Sequence, residues 1–217
     1  VRVPKVYAVG SRGIVLEWLS PAAPGDDVRQ AGLLGRQLAE LHRTTAGTYG
    51  FVANNFVGLL PQSNLPGDTS WVAFYTEKRL QPQLELARRQ GRMNPQRERW
   101  AERLIGRLPQ FIDEGQVQPS LLHGDLWSGN WLATESGPAL IDPAVYFGDR
   151  EIDLAMASLF GGFPRSFFDA YNEAYPLAPG YAERRPLYQL YYLLIHLNLF
   201  GQAYGPSVDR VLRRYGG

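Results

Sequence analysis

Leu121-Leu-His-Gly-Asp-Leu-Trp-Ser-Gly-Asn130, with Asp142 a little beyond it, is the stretch around which the rest of the chain is organised. An apolar pair leads into His123-Gly124-Asp125, and Asn130 follows the aspartate five residues later. Next come Trp131-Leu132-Ala133, a turn at Thr134-Glu135-Ser136-Gly137, and Ala139-Leu140-Ile141 running into Asp142-Pro143. Two short apolar runs around a Glu-Ser-Gly turn predict a β-hairpin. A hairpin of that length returns the chain to its start. Asn130 and Asp142 then end side by side, with Asp125 on the loop just before them.

These three side chains suit one kind of chemistry. Two carboxylates at about 5 Å repel by roughly 3 kcal/mol at an effective dielectric near 20, so the pair needs a counter-charge or one protonated member. Oxygens of Asp and Asn are what Mg²⁺ accepts, commonly one or two carboxylates plus substrate phosphates. A lone His-Gly-Asp is a common turn in which Asp caps backbone N–H groups. The Asn offset, the hairpin and the second Asp together favour the functional reading. Protein kinases place a base Asp, an Asn five residues on, and a metal Asp after a hairpin in this order. Here His123-Gly-Asp125-Leu-Trp-Ser-Gly-Asn130 occupies the H-R-D-x-x-x-x-N slot, and Asp142-Pro143-Ala144 stands in place of D-F-G.

Composition narrows the alternatives. At 217 residues the chain is long enough for one large domain or two small ones with a proper core. A net charge of +1 leaves no nucleic-acid or membrane footprint in the total. The absence of cysteine excludes disulfides, thiolate metal sites and a cysteine nucleophile, and fits a reducing, cytoplasmic compartment. No secretory signal pattern opens the sequence. No apolar run reaches the roughly 18 residues of a membrane helix, because Leu187 to Phe200 is interrupted by Gln189, His196 and Asn198. Basic residues are nearly all arginine; Lys5 and Lys78 are the only lysines.

Outward from the motif, Lys5 to Val9 and Gly13 to Leu19 read as two strands joined by Gly10-Ser-Arg-Gly13. Two strands make no stable sheet alone, so the chain is expected to start inside a sheet. Pro24-Gly-Asp-Asp27 offers a helix N-cap, and Ala31, Leu34, Leu38 and Leu41 recur at helical spacing up to His42, read as a packed or capping histidine. Tyr49 to Ser70 has little period and reads as a functional or mobile loop. Helices are expected over Trp71 to Arg89 and Pro95 to Glu114, with Arg88, Arg89, Arg92, Arg97, Glu98 and Arg99 on solvated faces. Asp149 and Glu151 suit a helix N-terminus. Asp153 lies within an otherwise apolar helix, where a buried carboxylate needs donors that the catalytic-loop backbone could supply. The remainder is mostly helical, with Tyr188, Tyr191, Tyr192, Leu194, Ile195 and Leu199 as core, and with His196 and Asn198 either satisfied there or reaching a pocket.

With the Leu-Leu-His-Gly-Asp-Leu-Trp-Ser-Gly-Asn motif, Phe160-Gly-Gly-Phe-Pro-Arg-Ser-Phe-Phe168 and Tyr49-Gly-Phe through Pro61-Gln-Ser-Asn64, the chain resembles the fructosamine kinase (ketosamine-3-kinase) family from about Val3 to its C-terminus. That family is similar to aminoglycoside phosphotransferases and choline kinases within the protein-kinase-like fold. The resemblance implies an α+β fold: a mainly helical large lobe over residues 20–217, preceded by a small-lobe hairpin and inter-lobe linker over 1–19. It implies ATP and Mg²⁺ as cofactors, Asp125 as base for the sugar 3-hydroxyl, and Asn130 and Asp142 holding Mg²⁺ against the phosphates. Glu17 and Leu19 match the linker whose backbone pairs with the adenine edge. Trp127, Asn64 and Arg79 are the candidate acceptor-site residues. The implied partners are ketosamine-modified proteins or small amines.

The resemblance also implies a phosphate-covering loop, a nucleotide lysine and its helical glutamate, and neither Lys5 nor Lys78 fits the lysine's place. The 217 residues assayed alone are therefore expected to show little or no turnover. Three other readings stand beside this one. One is a kinase of another acceptor, such as an aminoglycoside or choline, and another is a non-catalytic kinase-like binding module. The last, a metal-dependent hydrolase, lacks the second histidine that zinc sites generally show.

Overall fold

The chain begins with an antiparallel pair, β1 (Val6–Gly10) and β2 (Gly13–Leu16), and a long helix, α1 (Asp27–His42). A small hairpin follows, β3 (Asn55–Val57) and β4 (Leu60–Gln62). Next comes a continuous helical run of α2 (Trp71–Phe74), a π-helical turn over Tyr75–Leu80 and α3 (Gln81–Arg89). Helix α4 (Pro95–Arg107) leads to β5 (Ser120–Leu122), β6 (Trp131–Thr134), β7 (Gly137–Leu140) and β8 (Tyr146–Gly148). The chain ends in α5 (Glu151–Leu159), α6 (Arg165–Ala174), α7 (Tyr181–Phe200) and α8 (Gly205–Gly216). This computed structural model describes residues 1–217.

The expected α+β architecture is present, with the helices carrying the core and four two-stranded sheets serving as clasps. Helix α7 is the central post: Tyr188, Tyr191, Tyr192, Leu194 and Ile195 are buried in the larger apolar cluster, beside Trp71 and Tyr75. A second cluster forms where α1 crosses α6, with Leu34 and Leu38 against Phe167 and Tyr171. That crossing is close because Gly35 carries no side chain, and a Cβ there would strike the Phe167 carbonyl.

Two clasps close the central motif. β6 and β7 pair with Trp131 opposite Leu140 and Thr134 opposite Gly137, the hairpin that the two apolar runs and their turn predict. β5 pairs with β8, Ser120 opposite Gly148, so everything between Leu122 and Tyr146 is one loop pinned at its base. The irregular Tyr49–Ser70 stretch is not loose. Gln62 and Asn64 are buried in it, with Gln62 donating to the Ala144 carbonyl at 3.0 Å and Asn55 to the Val145 carbonyl at 2.7 Å. It braces the segment after Asp142.

Other expectations change. Helix α4 stops at Arg107, where Leu108–Gln110 tightens to a 3₁₀ turn around Pro109, instead of running to Glu114. Arg97 is not on a solvated face: it is buried and pairs with Asp209 at 2.6 Å, pinning α4 to α8. Asp26 precedes α1 but does not cap it; its carboxylate takes Arg29 and Gln30 side chains instead. β1 and β2 expose Tyr7, Val9 and Ile14 on both faces.

Candidate active site

The loop between β5 and β6 is held from beneath by one carboxylate. Asp153, fully buried in the first turn of α5, accepts the backbone N–H of His123 at 2.7 Å and that of Gly124 at 2.9 Å. His42, at the end of α1, brings its Nε2 within 3.2 Å of the same carboxylate, and its Nδ1 meets the Tyr171 hydroxyl at 2.8 Å. Burial works to raise the Asp153 carboxyl, but the His42 bond, the nearby His42 and His123 rings and the Gly124 N–H outweigh it and hold it below the ordinary value. Asp153 is thus the anchor of the loop, and His42 is the packed histidine its position suggests.

Gly124 has φ of +83°, and a Cβ there would collide with the Ala144 carbonyl oxygen. The motif therefore needs glycine between His and Asp, for conformation and for space. The Gly124 carbonyl accepts from the Tyr192 hydroxyl at 2.8 Å, which ties the loop to α7 as well. His123 is buried and held below its ordinary value by that burial. With Nε2 at 2.9 Å from the Ile141 carbonyl and Nδ1 facing the Asp125 N–H at 3.3 Å, the ring is neutral, donating through Nε2 and accepting through Nδ1.

The three motif side chains converge. Asn130 donates its amide N–H to the Asp125 carbonyl at 2.9 Å, and the same nitrogen lies 3.5 Å from the Asp125 carboxylate and 3.5 Å from the Asp142 carbonyl. The Ile141 N–H donates to the Asn130 carbonyl at 3.0 Å, so the hairpin does set Asn130 beside Asp142. Asp142 has φ of +50°, the one non-glycine residue of the chain in the left-handed region. A backbone held there costs of order 1–3 kcal/mol and points to function. The amide oxygen of Asn130 and the carboxylate of Asp142 make no hydrogen bond within the chain, so both are free to serve as oxygen ligands. Asp125 is half-buried; burial first, and then the Asp153 and Asp142 carboxylates, push its carboxyl up to about 6 against the pull of the Asn130 amide.

Asp125 and Trp127 open onto a pocket of 340 Å³ whose far wall is the end of α7: Ile195, His196, Leu199 and Phe200. Trp127 folds back over Gly129, where a Cβ would overlap its ring. The Gly-Gly-Phe-Pro run packs on the same loop, Gly162 against Ser128 and Phe163 stacked on Trp131 at 6.0 Å. His196 reaches the pocket, whereas Asn198 is buried and bonded to Gln83. The α7 wall is the part of the site that motif reading misses. Its signal is the polar and apolar face of His196, Leu199 and Phe200 at helical spacing.

Two candidate acceptor residues lie elsewhere. Asn64 and Arg79 are fully buried and bond each other at 2.7 Å, away from the pocket. The Arg79 guanidinium is a buried cation with no carboxylate partner. It bonds the Ser63 carbonyl and sits 3.9 Å over the Tyr146 ring and 4.6 Å from that of Phe74. Its role is to clamp the Asn54–Asn64 loop. Glu17 accepts from Arg2 at 2.9 Å and from the Lys5 N–H, while neither its carbonyl nor the Leu19 N–H bonds to another backbone group.

A helical lobe whose pinned loop presents Asp, Asn five residues on and Asp after a hairpin defines a phosphotransferase of the protein-kinase-like class. The comparisons narrow the class. The fructosamine kinase profile matches residues 1–215, and the chain belongs to the fructosamine kinase family. A "Probable ketoamine kinase" of Lactiplantibacillus plantarum is 45% identical over 219 residues, covering 99% of this chain and 76% of the relative. The ketosamine-3-kinase of Mus musculus is 36% identical, over 86% of this chain and 60% of its own length. Among solved structures, one described as a "putative fructosamine-3-kinase" of Thermobifida fusca superposes with TM-score 0.87 at 38% identity, covering 97% of this chain and 72% of that one. An ADP-bound aminoglycoside phosphotransferase shares the fold, with TM-score 0.63 at 13% identity, over 99% of this chain and 76% of its own.

Proposed function

We propose that this chain carries the catalytic lobe of an ATP- and Mg²⁺-dependent kinase that phosphorylates the 3-hydroxyl of ketosamines, sugars joined to lysines or small amines by glycation. The carrying observation is the convergence of Asp125, Asn130 and Asp142, with Asp125 lining a largely apolar pocket. Asp125 receives the proton of the attacking hydroxyl, and its raised pKa suits a base that works near neutrality. Asn130 and Asp142 supply two free oxygen ligands, the share a protein usually gives Mg²⁺ when phosphates complete the shell. That ion, when bound, neutralises charge on the transferring phosphoryl group. The free backbone groups of Glu17 and Leu19 suit the edge of an adenine ring. Trp127 lines the pocket and offers a flat face to a sugar, and the residue stays 43% exposed. On this reading residues 1–19 are linker and hairpin, residues 20–217 the large lobe, and the setting cytoplasmic.

The acceptor follows from the pocket's walls. Asp125 is its only carboxylate, and nine of its twelve lining residues are hydrophobic. Polycationic aminoglycosides favour acidic linings, so a ring with hydroxyls to bond and faces to stack fits better. In an acceptor panel scored by phosphate incorporation, the full-length polypeptide is expected to favour a ketosamine of lysine over an aminoglycoside and choline. Preference for either of the latter would overturn the substrate assignment. Asn130→Ala and Asp142→Ala are each expected to raise the Mg²⁺ concentration needed for half-maximal rate by about 10–100-fold, read from a magnesium titration at saturating ATP. An unchanged requirement would remove both residues from the metal site.

A further inference from the structure

Beside the acceptor pocket lies a larger groove of 870 Å³ between the start of α7 and α8, and four arginines line it: Arg185, Arg210, Arg213 and Arg214. No carboxylate lines it. The neighbouring arginines are tied down, Arg184 to Glu151 and Arg97 to Asp209, and Asp209 is the only acid of α8. The four in the groove have no ion-pair partner in the chain, and Arg214 rests 5.4 Å from the Tyr215 ring. In a chain whose net charge is +1, this is a local concentration of permanent positive charge with nothing to balance it.

The groove adjoins the acceptor pocket: Phe160 and Tyr204 line both. Ser158, Gln189 and Ser207 add hydrogen-bonding groups along its floor. Gln189 is fixed by donating to the Ala155 carbonyl and to the Ser158 hydroxyl at 3.1 Å each. The cations are spread over two helices and exposed, so each pair with an anion contributes at most about a factor of five in affinity. A useful ligand must therefore bring several carboxylates at once, over a length comparable to the groove.

We propose that this groove holds the amine-bearing half of the acceptor when that half is a polypeptide: an acidic stretch flanking the sugar-bearing lysine, its carboxylates paired to Arg185, Arg210, Arg213 and Arg214. The proposal rests on the ketosamine reading of the adjoining pocket. It makes the enzyme select among glycated lysines by the charge of their neighbours.

The test has two arms, both in the full-length polypeptide and in its Arg210→Glu, Arg213→Glu double variant. The first uses fluorescence anisotropy with a labelled glutamate-rich peptide carrying no sugar. Binding should weaken with added salt and fall about tenfold or more in the double variant. The second compares kcat/KM for fructosyl-lysine in glutamate-rich and in serine-rich peptides. The acidic-to-neutral ratio should drop about tenfold in the double variant, through KM and not kcat. Equal losses on both acceptors, peptide binding indifferent to the substitutions, or a preference for inorganic phosphate over the peptide would each overturn the proposal. Charge-sensitive peptide binding without turnover of any ketosamine would support the groove and count against the kinase reading alone.

Discussion

Replacing Asp125 with alanine is expected to lower kcat by about 10²–10⁴-fold in the full-length polypeptide while Mg·ATP affinity, measured by calorimetry, stays within a few-fold of wild type. The separation follows from the geometry. The Asp125 carboxylate faces the acceptor pocket, and the two free oxygen donors belong to Asn130 and Asp142. Asp125→Asn sharpens the test because it keeps the shape and removes only the ability to take a proton. Burial and two nearby carboxylates push Asp125 up to about 6, so kcat/KM should fall as pH drops through that value and the base is protonated. The sign of the stability effect is the opposite. A carboxyl raised above its unfolded value of 3.8 favours the fold at low pH and loses that contribution as pH rises through about 6. At neutral pH the ionised Asp125 therefore works against folding, and Asp125→Asn should melt higher than wild type at pH 7. A base whose removal both abolishes turnover and stabilises the fold is hard to explain as a structural residue.

Asp153→Ala should have the largest effect on stability of any single change in the lobe. The substitution leaves two buried backbone N–H groups, at His123 and Gly124, and the His42 ring without their common acceptor. Breaking a buried charged contact of this kind costs about 3–5 kcal/mol, against a typical total of about 5–15. For a chain of this size that is a fall in Tm of about 6–20 °C, visible by differential scanning calorimetry. The pH dependence carries a second signature. Asp153 is held below 3.8 in the folded protein, so its contribution is present above that value and is lost as pH falls below it. The acid limb of the stability curve should be shallower in Asp153→Ala than in wild type. A variant that melts like wild type would show that the loop is held by its two sheet pairs and by Tyr192 instead.

How much of this could be read from the residues alone depends on distance along the chain. Asn130 and Asp142 flank one hairpin and Asp125 lies on the loop just before it, so spacing and turn chemistry place them together without knowledge of the rest. Asp153 was marked by a conflict, a carboxylate in an apolar helix, and the structure resolves that conflict by giving it the loop's own N–H groups. The pocket wall at Ile195 to Phe200 comes from the far end of the longest helix, more than sixty residues from Trp127, and no local pattern says which loop that end meets. Arg97 shows the opposite failure: an arginine in a helix reads as solvent-facing, and only tertiary packing, by Asp209, turns it inward. Arg79, read as an acceptor-site residue, is taken inward by Tyr146 and Phe74. The Tyr49–Ser70 stretch lacks period because its order comes from Gln62, Asn55 and Asn64 side chains, which leave no periodic trace.

In the proposed reaction a phosphate-bound metal would lie between Asn130 and Asp142, with the acceptor hydroxyl at Asp125. A crystal structure of the full-length polypeptide with Mg²⁺, a non-hydrolysable ATP analogue and fructosyl-lysine tests this most directly. The expected map shows the metal at about 2.0–2.1 Å from oxygens of both residues, and the sugar 3-hydroxyl within hydrogen-bonding distance of the Asp125 carboxylate. A metal bound elsewhere, or a sugar seated away from the pocket of Trp127 and His196, would contradict it.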